Sequence, residues 1–84
     1  MTNMPTITNA AIITANLEAL HIRLQYAARL AGAASVAMAE DNQNRAIGSI
    51  LECDRILPEC DALYRTILLL HQSRTSFEQN EVHS

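Results

Sequence analysis

The chain has no tryptophan and no lysine, a single phenylalanine, two tyrosines, two glycines and two prolines. So few glycines and prolines leave few places to turn, which excludes an all-β architecture built from many short strands. With aromatics nearly absent, Ala, Leu and Ile carry most of the 49% hydrophobic content. That mixture suits helix packing better than a sheet. Positive charge is also short. All six basic residues are arginines and the net charge is -3, so the basic face that nucleic acid demands is missing. No uncharged run is long enough to cross a bilayer. The opening residues, MTNMPTITNA, lack the basic region of a secretion signal. These absences point to a cytoplasmic location, with neither membrane nor nucleic acid as partner.

Chemistry is equally sparse. There is no glycine-rich phosphate loop, no HExxH and no nucleophile elbow. Glu52, Asp54, Glu59 and Asp61 lie at helical spacings from Arg55 and Arg65 and read as a solvated charged face. Cys53 and Cys60 are seven residues apart, about 10 Å along a helix axis, too far to bridge each other. They read as small buried thiols of a reducing compartment. His21 and His71 complete no metal-ligand pattern with them. No catalytic, cofactor-binding or metal-binding residue is assigned, no cofactor is expected, and the chain does not read as an enzyme.

What the chain does have is two apolar stripes. The first is Ile13, Leu17, Leu20, Leu24, Ala27, Ala31, Ala34 and Met38. The second is Ala46, Ile50, Cys53, Leu57, Cys60, Tyr64, Ile67 and His71. Steps of four and three place each set on one seam of a helix, as in a coiled coil. Residues 1–8 form a flexible leader, 9–74 the helical domain and 75–84 a flexible tail. Thr8 or Asn9 caps a first helix running to about residue 40, and Asp41 or Asn42 caps the second. Arg45 stands one turn after Asp41, close enough for a weak ion pair. Pro58 kinks the second helix, which keeps its stripe in phase across the proline; a break near Leu57 is the alternative.

Two helices of similar length with a short connection fold back antiparallel. The expected fold is therefore all-α: a helical hairpin in which the two stripes face each other. His21 and Asp61 meet on one flank in this arrangement. On the other flank Leu30 and Ala37 stand near Ile56, Leu63 and Leu70, with Tyr26 and Ala33 just outside. This surface would remain uncovered in an isolated hairpin, which is also short of core. It is expected to be the interface with a second copy, as a dimeric four-helix bundle, or with another protein. A single three-helix bundle broken at Pro58 is the remaining architecture.

In size, charge and hairpin pattern over residues 9–74, the chain resembles small accessory proteins of temperate phages of pseudomonads. The resemblance implies a dimeric helical hairpin that binds and inhibits or redirects a host protein. The alternative is a small helical chaperone of a bacterial secretion system, which the chain also resembles in its pattern.

Overall fold

The computed structural model describes the backbone of residues 8–83 and the side chains of residues 8–73. The leader expected over residues 1–8 thus lies outside the described residues save for Thr8. The described chain is all helical. Helix α1 spans Asn9–Ala39, α2 spans Gln43–Ile50 and α3 spans Cys53–His83.

Each boundary has a local cause. The Thr8 hydroxyl accepts from the Ala11 N–H at 3.1 Å and caps α1, satisfying one of the donors a helix start leaves open. Helix α1 ends in a Schellman turn. The Asp41 N–H donates to Met38 O at 2.9 Å and the Asn42 N–H to Ala37 O at 2.8 Å. That turn needs a left-handed residue, and Asp41 takes the role at φ 59°. Asn42 then caps α2, its side chain accepting from the Arg45 N–H at 3.1 Å. Arg45 pairs with Glu40 at 3.7 Å rather than with Asp41.

The second half of the chain is kinked, but the interruption is not at Pro58. It falls at Leu51 and Glu52, between α2 and α3. There the Asp54 N–H reaches back to Leu51 O and the Arg55 N–H to Glu52 O, both at 3.0 Å. These are three-residue bonds in place of four-residue ones, which tighten the turn. Gly48, a weak helix former, lies on one side. Pro58 lies on the other, within α3. It gives Asp54 O no amide and crowds the turn before it. The bend is taken up where both weaknesses meet. Past residue 74, in the segment expected as a tail, the backbone is helical to His83. SRTSFEQNEVH contains no Gly or Pro to stop it.

Two hydrogen bonds tie α1 to α3, and a third ties α1 to the α2–α3 junction at Glu52. The Asn9 side-chain amide donates to Leu70 O at 3.1 Å, Arg23 Nε to Glu59 Oε1 at 3.1 Å, and the Tyr26 hydroxyl to Glu52 Oε1 at 2.6 Å. Numbers rise on α1 as they fall on α3, so the two long helices run antiparallel where they touch.

The line along which they touch differs from the expected one. Half of each stripe turns inward: Ile13, Leu20, Ala27 and Ala34 on the first, Ala46, Cys53, Cys60 and Ile67 on the second, all buried or half-buried. The other half is exposed: Leu17, Leu24, Ala31 and Met38, then Ile50, Leu57, Tyr64 and His71. The inward members are joined instead by Asn16, Arg23, Leu30 and Ala37 on α1, and by Ile56, Leu63 and Leu70 on α3. Both helices are therefore rolled away from the predicted seam. Two polar residues are accommodated at the observed seam. Asn16 folds its amide back to Ile12 O at 2.8 Å, and Arg23 runs its stem across the seam to place its head on Glu59. Each occupies a half-buried position without stranding a polar group.

The enclosed core is small. Among the described residues it consists of Ala34, Ala37, Ala46, Ile56 and Cys60. Ala34, Ala37 and Ala46 cluster where α1 and α2 approach beside the turn.

Candidate functional site

The roll of the helices changes which residues can meet a partner. Of the seven positions expected at an interface, Ala37 and Ile56 are each only 1% exposed. Leu30, Leu63 and Leu70 are half-buried. The chain's own helices cover these five, so they serve its internal seam. Tyr26 and Ala33 are exposed, but Tyr26 is engaged within the chain through Glu52.

That engagement belongs to a polar network along one side of the helix pair. The Tyr26 hydroxyl donates to Glu52, and Arg55 lies 3.8 Å from Glu52 and 4.0 Å from Glu59. Arg23 closes the chain onto Glu59 at 3.1 Å. The Glu52 carboxylate, by its hydrogen bond first and its charge second, holds the Tyr26 hydroxyl above the ordinary tyrosine range. These groups are substantially exposed, so each ion pair contributes about 1 kcal/mol at most. Their effect is to make this side of the molecule hydrophilic.

The opposite side is apolar. Helical periodicity groups Leu17, Leu24, Ala28, Ala31 and Ser35 on one edge of α1. The same reasoning groups Leu57, Tyr64 and Leu68 on the adjoining edge of α3. Leu24 and Leu57 are 47% and 53% exposed, and Leu17, Tyr64 and Leu68 are exposed to a similar degree. No Asp, Glu or Arg stands among them. The same spacing sets His21, four residues after Leu17 and seven before Ala28, and Asp61, four after Leu57 and seven before Leu68, at the outer margin of this band, both exposed. They do not meet within the chain. Asp61 is held by Arg65 at 2.9 Å, an ion pair that also stabilises the charged guanidinium.

Apolar periodicity places Leu17, Leu24, Leu57 and Tyr64 in the internal seam, whereas the structure turns them outward. The signal that separates the two uses is the tolerance of Asn16 and Arg23 for the seam, which apolar periodicity does not score.

The remaining features are chemically quiet. Cys60 is buried and Cys53 half-buried, both as free thiols. Among the described residues no group of three or more His, Cys, Asp and Glu side chains stands close enough to hold a metal ion. No helix among them is long and apolar enough to cross a membrane. A shallow depression bounded by Arg65, Leu68, Leu69 and Gln72 opens broadly to solvent. No protein-family model matches the chain, and neither a curated protein nor a solved structure gives a significant match.

Proposed function

We propose that this chain is a non-enzymatic protein-interaction module: a helical hairpin that pairs with a second copy as a four-helix bundle in the cytoplasm and, in that form, binds and inhibits or redirects a host protein. The observation that carries the reading is the disproportion between core and surface. Ile56 is the one large side chain among the enclosed residues, while thirteen large apolar side chains among the described residues are exposed. Full burial of such a side chain is worth roughly 1.5–3 kcal/mol. A chain this short has little other source of stability. Pairing supplies the missing core without a cofactor or a disulfide.

Light scattering across a concentration series tests the pairing. The expected mass is twice the 9.3 kDa of one chain at micromolar concentration, and a mass of one chain throughout overturns it. Affinity capture from a pseudomonad lysate tests the second half. The expected result is one host protein retained in stoichiometric amount, whose activity falls when the complex forms. Retention of none, or of one whose activity is unchanged, removes the inhibitory role.

A further inference from the structure

Resting on the pairing proposed above, we infer that the second copy docks on the apolar side formed by Leu17, Leu24, Leu57, Tyr64 and Leu68, leaving the Tyr26–Glu52 and Arg23–Glu59 side in water. Three observations select this occupant and this side.

The first is area. From Leu17 to Ser35 the α1 edge is about 27 Å long at 1.5 Å per residue, and from Leu57 to Leu68 the α3 edge is about 17 Å long. Two helices packed 8–10 Å apart present a width of about 20 Å. The mean length times this width, roughly 440 Å² before surface relief is counted, is more than half of the ~800 Å² that each partner contributes to a standard stable interface. The second is composition. The band is apolar at its centre, contains a tyrosine and is bounded by polar residues, the arrangement of an interface with core and rim. The opposite side has its polar groups already satisfied by one another, and burying it would strip water from Arg23, Arg55, Glu52 and Glu59.

The third is symmetry. Arg23 pairs with Glu59, so His21 and Asp61 stand at nearly one height on opposite helices. Both occupy the outer edges of the apolar side. A two-fold axis parallel to the helices lays α1 of one copy over α3 of the other at that same height. It brings His21 of each copy to the rim beside Asp61 of its mate, twice over. The surface is thus complementary to itself, as an isologous interface requires.

Sedimentation equilibrium on four variants tests the assignment, with circular dichroism to follow helicity. Leu24→Asp and Tyr64→Asp each enter the interface twice and should weaken pairing by at least about 100-fold. Ile22→Asp and Val36→Asp change side chains that are equally exposed but lie off the apolar side. They should leave pairing within about 3-fold of the parent. Hydroxyl-radical footprinting of the unaltered protein gives the same answer without any substitution. Leu24, Leu57 and Tyr64 should gain protection between dilute and concentrated samples while Ile22 and Val36 do not. A pair that survives Leu24→Asp and Tyr64→Asp, or footprints that protect Ile22 and Val36 instead, overturns this face but leaves pairing intact. A chain that stays single at every concentration overturns the pairing itself.

Discussion

Two polar side chains stand at the seam of this molecule. Asn16 and Arg23 occupy seam positions that a reading of apolar periodicity gives to Leu17 and Leu24, and each does so by disposing of its polar end locally. Arg23 matters twice, since its head also joins the network of Glu59, Arg55, Glu52 and Tyr26. Tyr26 reports on that network. Its hydroxyl is held above the ordinary tyrosine range by Glu52, so spectrophotometric titration should show one tyrosine ionising late, and Glu52→Gln should bring it down. The sign for stability follows from linkage. Because the folded value is raised, the contribution of the contact is complete below the pKa of an unfolded tyrosine and is lost as pH climbs through the raised value. A titration unaltered by Glu52→Gln would contradict the contact. Ile56 is the largest enclosed side chain. Ile56→Ala should lower unfolding free energy by about 2–5 kcal/mol in urea denaturation, whereas Ala33→Ser, at an exposed site, should change it by less than about 0.5 kcal/mol.

Among the elements, the sequence was most legible where the chain turns. Thr8, Asn42 and Asp41 all have the short polar side chains that caps and left-handed residues call for, and the helices begin and end beside them. Asp41 nonetheless sits at positive φ, where glycine is free of steric penalty. Asp41→Gly should therefore raise thermal stability by roughly 0.5–1 kcal/mol, and Asp41→Val should lower it. The kink was legible in kind but not in place. Pro58 announces a defect in the second helix, but a helix also has other weak points. Gly48 supplies one, and the two together move the interruption to Leu51 and Glu52. A methyl group at Gly48 would meet nothing within 4 Å. Gly48→Ala should thus add about 0.5–1 kcal/mol and slow amide exchange at Glu52 and Cys53. Unchanged exchange there would assign the interruption to Pro58 alone.

At the scale of the whole molecule, what the sequence left ambiguous is one rotation. Ile13, Leu20, Ala27 and Ala34 lie inside in either arrangement. They can be completed by Leu17, Leu24, Ala31 and Met38, or by Asn16, Arg23, Leu30 and Ala37. Periodicity favours the first set because it is the greasier. The structure uses the second, and the greasier set is turned outward with Leu57 and Tyr64 beside it. The internal seam and the outward face thereby exchange residues. A hydrophobic count along a single helix cannot separate them, because it does not know that an arginine can thread a seam and end on a carboxylate. The exchange also gives the molecule two unlike sides: one hydrophilic through paired charges, the other bare.

Whether that bare side is the one another copy covers can be read directly in solution. Isotope-filtered nuclear Overhauser spectroscopy on an equal mixture of labelled and unlabelled chains separates contacts between copies from contacts within one. The account predicts cross-peaks between copies from the Leu24 and Leu57 methyl groups and the Tyr64 ring, with Leu30 and Leu63 showing only contacts within their own chain. Cross-peaks between copies at Leu30 and Leu63, with Leu24 and Tyr64 silent, would contradict it.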